Sequence, residues 1–378
     1  MIDMRKFTYL FLSVFLILTA CEAGKQNHPE LSSNTYAGGF GITVEDGITV
    51  LTIKNPWEKA RDVEVRYYLV DRNGEVPASL AGKNVIRTPV KSIICLSTTH
   101  LGFLDKIGEI ASVSGISGGV YVTNPEILRR IKNGEIPDVG YGQNLNYEEI
   151  IRLKPDVVMV YGVDSDVTGI LGKFRDLGIA TVLNAEYLET SPLGKAEWIK
   201  FVGALYNKQE WADSVFISVE KEYIRLKGLV PDDTHRPGVM MGLPYRDAWW
   251  VPGGKSYMAN LIGDAGGNYL GSDNSSRESY VISFEQALVW ASEAEVWLNV
   301  GMVNSRQEII AADSRFSRFG VYNQGRIYNN NKQTTISGGA DFWESGAAAP
   351  EKILADLISI LHPGLLPGHT FFYYQEIR

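Results

Sequence analysis

NLNYEEIIRLKPDVVMVYG, residues 144–162, decides how the chain folds. Ile150, Ile151 and Leu153 recur at helical spacing, and residues 157–160 form the continuous apolar run that a parallel strand buried on both faces requires. Pro155 ends the helix ahead of the strand, because its ring disfavours helical backbone at the residue before it. ISFEQALVWASEAEVWLNV, residues 282–300, has the same order. Glu285 opens a helix carrying Ala287, Leu288 and Trp290, a break follows, and residues 296–300 read as a strand. Two copies of one pattern imply two similar lobes.

Ahead of the first copy, residues 41–88 alternate apolar and polar positions, with Asp46-Gly47 and Asn73-Gly74 as turns, and read as antiparallel strands. They are expected to brace the first lobe. Residues 89–192 form that lobe, in which strands at 92–96, 157–160 and 180–184 alternate with helices, the signature of a parallel sheet covered on its faces. Residues 193–230 hold the longest helical pattern, with a break expected at Asn207. Residues 231–378 form the second lobe, from a strand at 238–243 to a closing helix at 350–361. The fold class is α/β: two lobes, each a mostly parallel sheet flanked by helices, with extra strands at the N-terminus.

The motif N-x-E-x-I-x-x-L-K-P-D-x-V, carried by Asn146, Glu148, Ile150, Leu153, Lys154, Pro155, Asp156 and Val158, resembles a signature of the periplasmic binding proteins that deliver cobalamin, ferric siderophores or haem to ABC importers. The segments at 90–108 and 256–270 and the Glu285 helix support the resemblance, which runs over residues 89–362. It implies one long rigid helix bridging the lobes over residues 193–230 and a ligand cleft between them. It further implies a monomer with no catalysis and no intrinsic cofactor, whose partners are the importer's membrane subunits with their cytoplasmic ATPase. Glu148 and Glu285 would dock into arginine pockets on those subunits, since two exposed carboxylates far apart on a rigid body set orientation against guanidinium groups. Acids complementing helix N-termini are the plainer reading of the same pair.

At 378 residues, with 45% hydrophobic and 21% charged content, the chain can bury a core large enough for two domains. Forty-four acids against 36 bases, a net charge of −8 without a basic block, argue against a nucleic-acid partner. Arg5 and Lys6 precede an apolar run at 7–18 that is short for a bilayer core of about 30 Å and fits a secretory signal. Residues 18–21, LTAC, resemble a lipoprotein lipobox, which implies cleavage before Cys21, lipidation of its thiol, and a periplasmic protein held to a membrane by residues 22–40 as a polar tether. Cys95 then remains alone, which leaves no intramolecular disulfide.

Ligands of open parallel sheets sit beyond the carboxyl ends of the strands. The loops assigned there carry Thr99, His100, Tyr121, Tyr141, Tyr161, Tyr245, Arg246, Trp249, Trp250, Phe342 and Trp343. Flat aromatic faces with few polar groups suit a bulky metal chelate, a corrinoid or a ferric siderophore. Trp249 and Trp250, adjacent in one loop, are expected to put at least one ring into the cleft, and Arg246 to pair with a ligand carboxylate or phosphate. A haem ligated by His100, with Tyr121 or Tyr141, is the rival within the family. Outside it stand a sensor lipoprotein and a secreted enzyme, which would rely on Asp164, Asp166, Asp247 and Asp341. Five dispersed histidines and two cysteines give no metal centre.

Overall fold

The computed structural model describes residues 30–32, 34–162 and 166–378, the first three by backbone alone. The apolar run 7–18, Cys21 and Asp164 lie outside the described residues, and no helix among those described is long and apolar enough to cross a membrane.

The N-terminal sheet runs β1 (Glu30–Ser32), β2 (Phe40–Glu45), β3 (Ile48–Lys54), β4 (Glu64–Asp71) and β5 (Asn84–Thr88) in sequence order. Only the β4–β5 pair is parallel. Asp46 and Gly47 both adopt left-handed backbone, which matches a two-residue turn to the strand twist. One face of this sheet, with Phe40, Leu51, Tyr67 and Ile86, runs into the hydrophobic core of the first lobe.

That lobe is a parallel sheet in the order β7 (Val113–Ile116), β6 (Ile93–Cys95), β8 (Val157–Tyr161), β9 (Thr181–Asn184). The second repeats the arrangement as β12 (Asn268–Tyr269), β10 (Gly238–Met241), β14 (Val296–Leu298), β15 (Arg326–Asn329), and β16 (Gln375–Glu376) adds an antiparallel edge. β11 (Trp249–Val251) and β13 (Tyr280–Ile282) form a separate antiparallel ribbon. The two motif copies are the helices Tyr147–Leu153 and Phe284–Glu293, which feed the equivalent strands β8 and β14. In the first copy the Asn146 side chain caps the helix on the Glu149 N–H at 3.0 Å, and Lys154 turns the chain in left-handed backbone. Asp156 then accepts the Lys91 and Ser92 N–H groups and pairs with Arg72, fastening the N-terminal sheet to the lobe.

The bridge is not one long helix. It comprises Pro192–Leu205 and Gln209–Lys227, broken at Tyr206, Asn207 and Lys208, with Asn207 at φ 56°. The chain doubles back there, so that Gly203 faces Ala212 and Lys200 lies 3.8 Å from Asp213 and 4.7 Å from the Phe216 ring. A Cβ at Gly203 would fall 2.4 Å from that of Ala212, so the crossing depends on the absent side chain. Helix Pro192–Leu205 is buried along its whole length. Its Glu197 carboxylate accepts the N–H groups of Thr35, Tyr36 and Ala37 at 2.8–2.9 Å and the Lys200 ammonium at 2.9 Å. Between the lobes, the buried Glu344 accepts the N–H groups of Thr123 and Asn124, and Lys106 lies 3.7 Å from Glu351.

His100 is fully buried on helix Thr99–Lys106, neither ring nitrogen having a hydrogen-bond partner among the described residues, and burial pushes its imidazole down to about 3. It is core, not a cleft ligand.

Two outcomes are expected. Glu197→Ala leaves three N–H groups and an ammonium without their acceptor, and should lower stability by about 3–5 kcal/mol in denaturant titration. Because the folded-state pKa of His100 lies below its unfolded value of about 6.5, the folded chain binds fewer protons on acidification, and stability is lost as pH falls from about 6.5 toward 3. His100→Leu should flatten that acid limb while leaving stability at pH 8 within roughly 1 kcal/mol, as read from denaturation midpoints across pH.

Candidate functional site

A cleft of about 390 Å³ opens between the lobes. The first lobe contributes Thr99 after β6, Tyr161 at the end of β8, and Glu186, Tyr187 and Glu189 after β9. The second contributes Tyr257, Arg277, Phe342 and Trp343, and the buried helix adds Lys195 between them. These side chains surround the carboxyl ends of the parallel strands, where α/β sheets bind ligands. A larger groove of about 690 Å³ lies against the N-terminal sheet but meets β9 at its amino end, around Gly178 and Thr181. Its position, its exposed Lys83 and Arg175, and the pairing of its Arg66 with Glu45 make it the weaker candidate.

The floor is polar, with Glu186 and Lys195 buried in it. Burial pushes the Glu186 carboxyl above the usual range, opposed by the Lys195 charge and the Thr99 hydroxyl, and pushes Lys195 below its own, opposed by Glu186 and Glu189. The Lys195 ammonium rests 4.7 Å from the centre of the Tyr257 ring. Glu189 is fixed from behind, accepting the Gly39 N–H at 2.8 Å and the Trp198 indole N–H at 3.2 Å. Above the floor, Tyr161 and Tyr187 tilt together with ring centres 5.0 Å apart, and Trp343 stands half exposed. A polar, preorganised floor under aromatic walls suits a large ligand with hydrogen-bonding substituents. Among the described residues no cluster of His, Cys, Asp and Glu is arranged to hold a metal ion.

Of the residues expected here, Thr99, Tyr161, Phe342 and Trp343 line the cleft. Tyr121, Tyr141 and Tyr245 are exposed outside it. Arg246 lines a different groove, beside Asp313 and Arg315, with its guanidinium 5.2 Å from the Tyr245 ring. Trp249 is core: 3% exposed, it stacks on Trp297 and Phe319 and donates its indole N–H to Met241. Residues 249–251 are a strand rather than a loop, so the pleat sends Trp249 inward and Trp250 outward, opposite Val281. Asp166 caps the helix Val167–Asp176. Glu186, Tyr187, Glu189 and Lys195 escaped the sequence reading, although two signals mark them: the first three follow a parallel strand, and Lys195 is one of three charged residues set among the apolar positions of the next helix.

Glu148 and Glu285 occupy the same, second position of equivalent helices, behind the caps Asn146 and Ser283, and both are exposed. Glu285 is held below the usual carboxylate range by its own N–H and the Ser283 hydroxyl.

Residues 93–334 match the model of a family described as periplasmic binding protein. An uncharacterized lipoprotein of Methanocaldococcus jannaschii, MJ0878, is 28% identical over 328 residues, covering 82% of this chain and 76% of that one. A periplasmic heme binding protein from Pseudomonas aeruginosa shares the fold with a TM-score of 0.58 at 14% identity, over 76% of this chain and 98% of that one. The periplasmic vitamin B12 binding protein BtuF of Vibrio cholerae does so with a TM-score of 0.53 at 15% identity, over 72% and 97%. At such identities these two establish the fold alone. The family match covers the parallel strands of both lobes and most of the residues lining the cleft, and the chain belongs to the periplasmic binding proteins.

Proposed function

We propose that the protein is the solute receptor of an ABC importer, that it captures a corrinoid or ferric siderophore in the interlobe cleft, and that it hands this chelate to the membrane subunits without chemistry. The observation that carries the reading is the cleft itself, at the carboxyl ends of two similar sheets, with aromatic walls over the Glu186 and Lys195 floor. Burial of His100 counts against haem ligated through that residue. Lipidation at Cys21 and a periplasmic, membrane-tethered monomer belong to the same proposal, supported by the family and by a relative named as a lipoprotein. Glu148 and Glu285 are the proposed docking carboxylates, their matched exposure at equivalent helix starts being the support.

Titration of the full-length protein in detergent with cyanocobalamin, ferric siderophores and haemin, read by tryptophan fluorescence, should give saturable quenching by a corrinoid or a ferric siderophore through Trp343. Saturation by haemin alone would replace the ligand class, and silence with every probe would remove the receptor reading. Glu148→Ala with Glu285→Ala should leave chelate affinity within about twofold and abolish stimulation of the importer's ATPase. Normal stimulation by that double variant would refute the docking assignment.

A further inference from the structure

Residues 40–88 lie ahead of the family match, yet one part of them reaches the cleft. The connection from β3 to β4 is closed at its base, where the Asn55 N–H donates to the Val63 carbonyl at 2.7 Å and the Val63 N–H to Asn55 Oδ1 at 3.2 Å. It is closed again at its tip by the Ala60 N–H on the Trp57 carbonyl at 3.1 Å. Asn55, Lys59 and Asp62 all take left-handed backbone, at φ 48°, 63° and 57°. Three such non-glycine residues in one short turn persist only where the surroundings define its shape. Those surroundings are the loop leaving β8: a Cβ on Gly162 would lie 3.2 Å from Trp57 Cβ and 3.3 Å from the Pro56 carbonyl oxygen. The sheet behind the turn is itself fixed, with Leu183 of β9 donating its N–H to the Tyr67 hydroxyl at 3.1 Å. Glu58, at the tip, borders the cleft.

We propose that this turn is a third wall of the ligand cleft, contributed by the N-terminal sheet, and that Glu58 is a specificity residue selecting chelates by charge. The inference rests on the cleft being the ligand site. Glu58 stands exposed on the rim, and Glu278 borders the same cleft from the other lobe. Two carboxylates at the entrance disfavour a multiply anionic chelate and favour a neutral or cationic one. The cations Lys195 and Arg277 also border the cleft, so an anionic substituent can be held inside it while the net charge of the chelate is read at the rim. A rim charge is partly screened, and its influence is correspondingly moderate.

The test compares full-length wild type with Glu58→Lys and with Glu64→Lys, a control of equal charge change that faces the groove at the amino end of β9. Affinities are measured for cyanocobalamin, a cationic ferric trihydroxamate and an anionic ferric tris-catecholate at two salt concentrations. Glu58→Lys should shift the ratio of tris-catecholate to trihydroxamate affinity by about tenfold toward the anion, less at high salt, while Glu64→Lys leaves it unchanged. Binding by all three proteins with the same ratio overturns the inference and leaves the cleft assignment standing. An equal shift from Glu64→Lys also overturns it, by assigning the effect to net charge. Failure of wild type to bind any probe refutes the cleft assignment, and the inference falls with it.

Discussion

A helix buried over all fourteen of its residues cannot leave its charges in water, and helix Pro192–Leu205 carries Lys195, Glu197 and Lys200. Each has to find a partner, and the partners organise the molecule. Lys195 settles beside Tyr257 and close enough to Glu186 for the two charges to interact, which makes the cleft floor. Glu197 gathers the backbone of residues 35–37, which straps the incoming chain across the helix. Lys200 joins Glu197 to Asp213 and Phe216, which holds the second arm of the hairpin. Replacing such ionic groups by well-packed apolar ones can be neutral in stability; here they specify which segments meet the helix.

The same helix limits motion. The lobes share it, and they are tied again where Glu344 accepts two N–H groups from the opposite lobe and where the backbone of Glu344 presses on Gly102. A Cβ at Gly102 would lie 2.2 Å from the Glu344 carbonyl oxygen, so that contact admits glycine alone. Lobes joined at several buried points resist wide closure, and a ligand in the proposed site would enter by small adjustment. The cleft must then be built beforehand, which agrees with a floor in which Glu189 is already held from behind.

The paired lobes were legible because burial on both faces leaves a continuous apolar strand, and Pro155 and Asn207 mark breaks that the backbone must honour. The hairpin was not, since a helical period says where a helix breaks and nothing about the angle that follows; Gly203 against Ala212 sets that angle. Trp249 and Trp250 misled for a related reason. Adjacent aromatics in a loop compete for one cleft, but in a strand they point to opposite sides, and three strand residues are too few for alternation to be seen. His100 follows a Ser-Thr-Thr run that is partly exposed at all three residues, and of these Thr99 lines the cleft while His100, one residue on, turns into the core. The residues after β9, Glu186, Tyr187 and Glu189, lie within reach of the strand-end rule, but a lone tyrosine between two acids does not stand out as the aromatic-rich loops do.

Helices in both lobes run back against the strands they cover, so their N-termini gather on the side of the strand carboxyl ends. Glu148 and Glu285 therefore stand on the side of the molecule toward which the cleft opens, one per lobe, a consequence of the repeated topology alone. A partner engaging both would face the cleft entrance and receive the ligand without the receptor turning over. The N-terminal sheet breaks this symmetry by adding Glu58 to the rim on the side of the first lobe. The proposed partner contacts and the proposed selective rim would thus lie on one face. If Glu148 and Glu285 dock the partner and Glu58 selects the ligand, as proposed, substitutions can alter capture and delivery separately, because the first two sit on helix starts and Glu58 sits on a turn fixed to a different element.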